Sequence, residues 1–419
     1  MTRRFLARFK RSSSRDSRDY FYPPSSTKLP AMKASTASLQ ISDRLSGLVQ
    51  SDIRRMSIEC ARVGGINLGQ GICDLPTPPE IRQGTIDAIE SHKATYSRLE
   101  GIDILRQKIA AKLESFNALS VDPETQIIVT VGSTGGFATA AMATLNPGDE
   151  VILFEPYYGY HVNTLKVLGV VPKFVSLQAP DWSIDFDELR RAFSDRTRAV
   201  VVCTPSNPSG KVFSRDELEK IGALCREFGA WALTDEIYEY IVYDGRRHVS
   251  MASLDSCRDL TITISGFSKT FSITGWRIGY VAAPEEIASK IGLLNDLFYV
   301  CAPTPLQWGV ARGLEIGEEY YIELRESYQK KRDMLAAAVS DAGMSPWIPQ
   351  GAYYMLAGIH GAGFRGDREA AMALLERTGV ASVPGSAFHA SDRGSSMLRF
   401  CFAKNFDALE EACRRIRTF

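Results

Sequence analysis

Between residues 126 and 283 the chain alternates β-branched apolar runs with amphipathic stretches, and that alternation limits what it can fold into. Runs at 126–131, 151–154, 170–175, 198–203, 231–234, 261–264 and 279–283 read as strands. Helical periodicity fills 137–145, 185–193 and 214–228 between them. Strands separated by helices pair mainly in parallel, because each crossover must return over a face of the sheet. The expected fold class is α/β. A mostly parallel sheet flanked by helices would form a large domain over about residues 78–305. A smaller α+β domain would combine about 32–77 with 306–419. Its expected elements are an amphipathic helix within 38–60 through Leu45, Leu48, Ile53 and Met56, and helices around 284–300 and 305–341 joining the two parts. Short strands near 353–356, 380–383 and 397–402 and a closing helix from about Asp407 follow.

Composition excludes several functions. With 419 residues, 45% hydrophobic and 23% charged, the chain can bury two cores. Basic and acidic residues number 49 each, so no global charge favours nucleic acid or an anionic membrane. No apolar run approaches the roughly 18–20 residues that span a bilayer. The eight cysteines are scattered, without C-x-x-C pairs or metal-ligand spacing, and suit buried thiols of a cytoplasmic protein that holds no metal. The five histidines form no cluster, and His161, the one near a motif, reads as structural. Residues 1–31 are rich in arginine and serine, with Asp16 and Asp19 as their only acids. That composition suits a disordered basic arm, or a start placed ahead of a true initiator at Met32, better than a transit peptide.

In an open α/β sheet, ligands collect beyond the carboxyl ends of the strands, and several unusual segments fall there. After 261–264 comes Lys269, bordered by Ser265, Ser268 and Ser272, with Arg277 eight residues on. A desolvated lysine beside a cation loses its proton easily and can condense with a carbonyl, whereas a basic surface turn is the plain alternative. After 126–131, Gly132-Ser133-Thr134-Gly135-Gly136 offers free backbone N–H groups and two hydroxyls to an anion, or is simply a tight turn. Tyr158 follows 151–154 and could stack on a flat ring or pack in the rim. Asn207 sits in the rigid turn Thr204-Pro-Ser-Asn-Pro-Ser-Gly210. Asp235 ends a buried strand, where a carboxylate must be paired or cap a helix. Arg399 lies within an apolar strand and needs an anion or a salt bridge.

Taken in this order, the segments resemble the class I and II pyridoxal-phosphate aminotransferases of fold type I, over about residues 40–419. The resemblance implies that Lys269 holds the aldehyde of pyridoxal 5'-phosphate. Ser133, Thr134, Gly135, Ser268 and Arg277 would hold its phosphate, joined by Tyr96 from the other subunit of a homodimer. Tyr158 would cover the ring, Asn207 and Tyr238 would reach the ring oxygen, and Asp235 would protonate the ring nitrogen. Gly71 and Arg399, with Asn207, would hold the substrate carboxylate. Transfer of the amino group would run by a ping-pong mechanism between an L-amino acid and a 2-oxo acid. One departure is Gly266, where many members carry serine; Ser265 or Ser268 would replace that hydroxyl. A β-elimination lyase on the same fold is the alternative enzyme, and a non-catalytic regulator is a third reading, for which the segment before Met32 is too short and polar.

Overall fold

The computed structural model describes residues 39–45, 48 and 50–419. The basic segment 1–31 and the start of the expected 38–60 helix lie outside them. Asp43–Phe419 forms one compact unit. In chain order its helices are α1 (Asp52–Arg62), α2 (Pro79–Glu90), α3 (Asp103–Asn117), α4 (Gly132–Thr144), α5 (Gly159–Val167), α6 (Phe186–Ala192), α7 (Arg215–Phe228), α8 (Glu285–Tyr299), α9 (Thr304–Gly313), α10 (Glu318–Asp341), α11 (Asp367–Thr378) and α12 (Phe406–Ile416). The strands are β1 (Ile66–Asn67), β2 (Ile127–Val131), β3 (Glu150–Glu155), β4 (Val171–Ser176), β5 (Thr197–Cys203), β6 (Trp231–Asp235), β7 (Thr261–Gly266), β8 (Ile278–Ala282), β9 (Ser345–Trp347), β10 (Tyr354–Gly358), β11 (Val380–Ala381), β12 (Val383–Pro384) and β13 (Met397–Cys401).

Seven strands form the central sheet in the order β2-β8-β7-β6-β5-β3-β4. β8 alone runs against its neighbours, so the sheet is mostly parallel, as the alternation predicts. Its residues alternate between two cores. Ile152, Phe154, Val200 and Val202 face α7 through Leu218, Ile221 and Leu224. Val151, Leu153, Ala199 and Val201 face α4, α5 and α8 through Phe137, Val162 and Ile291. Both faces are therefore covered, and the middles of β3 and β5 are continuous apolar runs. α7 opens with a reciprocal capping box, in which Ser214 Oγ accepts from Glu217 N–H and Glu217 Oε2 accepts from Ser214 N–H.

A second, antiparallel sheet runs β12-β13-β10-β9, and β1 pairs with β11. α1, α10, α11 and α12 pack on these through Met56, Val339, Leu374 and Leu409. Three local expectations are corrected. The helix expected within 38–60 begins only at Asp52, where Ser51 Oγ accepts from Arg54 N–H; a short 3₁₀ turn, Asp43–Leu45, precedes it. The stretch 305–341 is two helices, α9 and α10, parted near Gly313 and Gly317. Gly313 presses on α2, where a Cβ would come within 2.5 Å of Ile81 Cγ1. The glycine-rich segment after β2 is itself the first turn of α4.

Candidate active site

β2, β3, β5, β6 and β7 all end toward one cavity of about 190 Å³, and β13 of the second sheet closes it. Most of the chemically unusual side chains meet there. Lys269, Asp235, Tyr238, Asn207, Tyr158, Ser133, Thr134, Ser268, Arg277, Gly71 and Arg399 all line it. Gly135 lies in the same helical turn as Ser133 without lining the cavity. Tyr96 is outside the cavity and 81% exposed.

No side chain caps the first turn of α4, so its N–H groups stand open beside Ser133 and Thr134. The Arg277 guanidinium lies against that turn: a Cβ on Gly132 would come within 2.6 Å of Nη2. Arg277 Nη1 donates to the Thr274 carbonyl at 3.0 Å, and no carboxylate pairs with it among the described residues. Arg277 and Ser272 both take left-handed backbone angles, φ +58° and +56°. A non-glycine residue held there is strained, and such strain gathers at functional sites.

Gly266 has a backbone reason. A Cβ there would come within 2.9 Å of Gly279 Cα on the neighbouring strand. Of the two serines that could replace the missing hydroxyl, Ser268 lines the cavity. Ser265 turns away and donates to Glu239 Oε1 at 3.0 Å.

The Lys269 ammonium is pulled down to about 8, chiefly by burial, with Arg277 adding to the fall and Asp235 opposing it. Its Nζ donates to the Gly71 carbonyl at 3.4 Å and lies 5.8 Å from the centre of the Tyr238 ring. Gly71 must be glycine, since a Cβ would overlap Tyr354 Oη at 1.8 Å. The Tyr238 hydroxyl donates to Tyr354 Oη at 3.3 Å, and burial pushes the Tyr238 phenol well above its usual range.

Asp235 is buried, and its Oδ2 lies 2.9 Å from His161 Nε2. The sequence reading took His161 as structural; the structure makes it the partner of the carboxylate at the end of β6. The signal was available: a buried Asp235 demands a partner, and His161 is the histidine nearest a strand-end motif. The edge of the His161 ring meets Tyr158 with centroids 5.2 Å apart, and it also packs on Phe137.

Arg399 is 1% exposed. Its Nη1 donates to Asn207 Oδ1 at 3.0 Å, and its Nη2 to the Gly69 carbonyl. Its Nε has no partner, and no carboxylate pairs with it among the described residues. The rings of Tyr354 and Phe388 flank it at 4.4 and 4.6 Å. A buried guanidinium with two neutral partners and an orphaned N–H lacks the anion that would offset its desolvation.

Behind the cavity, a second polar group fixes the turn carrying Tyr238. Lys112 Nζ from α3 sits 2.5 Å from Glu239 Oε2, and Asn117 Nδ2 donates to the same oxygen at 2.9 Å. Burial would raise the Glu239 carboxyl, but Lys112 and His248 hold it below its usual range. Replacing Lys112 with methionine strands that carboxylate. We expect a loss of about 3–5 kcal/mol in urea unfolding, largely restored by adding Glu239→Gln. Equal stability of wild type and Lys112→Met would show the pair to be inert.

This arrangement is that of an aminotransferase of fold type I: a lysine of lowered pKa and a buried carboxylate at the strand ends of a mostly parallel sheet, with Arg277 beside that sheet and Arg399 on the second sheet both lacking a carboxylate partner among the described residues. The chain belongs to the class I and II aminotransferases, the family matched by residues 63–416. It is 34% identical to the N-succinyldiaminopimelate aminotransferase of Mycobacterium tuberculosis, whose structure superposes with a TM-score of 0.87 over 91% of this chain and all of that one. The structure of YbdL from Escherichia coli, reported to have a methionine aminotransferase function, superposes at 0.88 with 29% identity, over 91% of this chain and all of that one. Aromatic-amino-acid aminotransferase 2 of Thermococcus litoralis is 32% identical over 90% of this chain and 97% of its own length. The protein is therefore an aminotransferase, acting on amino and 2-oxo acids. Among the described residues, no helix is long and apolar enough to cross a membrane.

Proposed function

We propose that this cavity binds pyridoxal phosphate and carries out transamination with the residues gathered in it. The observation that carries the reading is Arg399, buried beside Lys269's cavity with an unpartnered Nε and no acid to pair with. A free α-carboxylate is the ligand such a group fits. The open first turn of α4 and the adjacent Arg277 fit a phosphate in the same way. His161, by hydrogen-bonding Asp235, fits that carboxylate to face a protonated ring nitrogen.

Pyridoxal phosphate supplies an aldehyde that takes up amino groups and a ring that accepts the electron pair released at the substrate Cα. The chain's residues do the rest. Ser133, Thr134, Gly135, Ser268 and Arg277 hold the phosphate. Tyr158 covers the ring, and Asn207 and Tyr238 bind its oxygen. Asp235, oriented by His161, keeps the ring nitrogen protonated. Arg399 clamps the substrate carboxylate, aided by Asn207 and the backbone near Gly71. Lys269 Nζ, as the free amine, would take the proton from the substrate Cα. The two sheets would correspond to the large and small domains. Eight unbridged thiols suit a reducing compartment such as the cytoplasm.

An amino donor given with and without a 2-oxo acid tests the chemistry. We expect one turnover per site without acceptor and sustained turnover with it. Sustained release of ammonia and a 2-oxo acid from cysteine-type donors alone would favour elimination.

Tyr96, exposed in the single chain, would enter the site of a second copy. Mixed dimers of Lys269→Ala and Tyr96→Ala chains should regain activity, since one site then joins Lys269 of one chain to Tyr96 of the other. Absence of recovery in confirmed hybrids would place the whole site within one chain.

A further inference from the structure

Five acidic or basic side chains line the cavity, and each is already committed. Asp235 and His161 hold each other, Lys269 is the amine, the Arg277 guanidinium packs against the first turn of α4 and Arg399 is the carboxylate clamp. The remaining wall toward solvent comes from three separate elements. Ile53 is on α1, Gln70 and Ile72 follow β1, and Tyr160 and Thr164 are on α5. None carries charge. Ile72 and Tyr160 are 43% and 54% exposed, so apolar surface stands uncovered at the mouth. Gln70 Oε1 accepts from Ser57 Oγ at 3.2 Å, and its Nε2 has no partner among the described residues.

We propose that the enzyme prefers amino donors with uncharged apolar or aromatic side chains over dicarboxylic ones. The inference rests on the transamination reading and adds the substrate class. A distal carboxylate entering past Ile53 and Ile72 would lose water and meet no cation among the residues that line this wall. A thioether or aromatic side chain would instead cover Ile72 and Tyr160. In the segment around Tyr96, which a second copy would bring near, Arg98 and Lys93 have partners within their own chain. Arg98 is already held by Glu100 at 3.2 Å and Glu124 at 3.4 Å, and Lys93 lies over the Trp308 ring.

The test uses the cofactor-loaded enzyme and two measurements. Kd values for the unreactive carboxylates 3-phenylpropanoate and butanedioate read binding without turnover. Values of kcat/KM for phenylalanine and methionine against aspartate and glutamate read the reaction. We expect at least about tenfold in favour of the apolar member in both, equivalent to about 1.4 kcal/mol. Ile72→Arg should narrow or reverse the order by giving butanedioate a partner, and Tyr160→Arg is an independent second variant. Equal or tighter butanedioate binding, with aspartate used as well as phenylalanine, would overturn the inference while leaving transamination intact. The expected binding order without turnover of any amino acid would instead sink the transaminase reading and leave the substrate class standing.

Discussion

Lys269→Ala is expected to lower turnover by roughly 10⁴-fold or more, at the upper end of what one positioned proton-transfer group supplies. The same change should abolish the visible absorption of protein incubated with pyridoxal phosphate. Both effects follow from one nitrogen, which has to hold the aldehyde and then move the Cα proton. Lys269 contributes little to the fold: it bonds only the Gly71 carbonyl at 3.4 Å and lies over the Tyr238 and Tyr353 rings. Unfolding of the apoprotein should therefore change little, which separates lost chemistry from lost structure. The pH dependence has a definite sign. With its ammonium lowered from 10.5 to about 8, the amine becomes neutral and nucleophilic as pH rises through 8. Capture of pyridoxal phosphate by apoprotein should accelerate from pH 6 to about 8 and then level. A rate still climbing nearly tenfold per unit at about pH 9 would mean an ordinary, solvated lysine.

Asp235→Asn is expected to reduce kcat by about 10²- to 10³-fold, the usual cost of removing one preorganised electrostatic group from a closed site. Asparagine keeps the size and can still bond His161, so the loss isolates the charge. The carboxylate sits at the end of β6 with Oδ2 on His161 and Oδ1 accepting from the Ile237 N–H. A fall of less than about tenfold, or 1.4 kcal/mol of barrier, would leave Asp235 only a local structural role, that of accepting the Ile237 N–H. His161→Ala should act in the same direction but more weakly, because it removes the support and leaves the charge.

The central sheet was legible because its strands obey a simple rule. Residues such as Val151 and Ile152 face opposite cores, and runs with both faces buried are apolar throughout. Asp235 and Lys269 were legible for a related reason, since polar residues closing such runs stand at the strand ends where ligands gather. Four features were not. α4 begins at Gly132, where a side chain would meet the Arg277 guanidinium, a contact made by residues 145 positions apart in sequence. His161 was seen but not paired, as only folding brings α5 to the end of β6. The neutral mouth of Ile53, Ile72 and Tyr160 comes from elements whose convergence is wholly tertiary. β1 and β11 have two residues each, too short for any period to register.

The guanidinium of Arg399 touches Asn207 beyond β5 and Gly69 beyond β1 while standing on β13 itself. A carboxylate that engages it thus fastens three distant stretches of chain at one point. Such a ligand favours the native over the unfolded chain by mass action, about 2.7 kcal/mol at a hundredfold excess over Kd. Melting temperature can therefore serve as a gauge of ligand occupancy needing no catalysis, usable even with Lys269→Ala protein. In Arg399→Ala the gauge should go silent, and simple carboxylates should no longer raise the melting point.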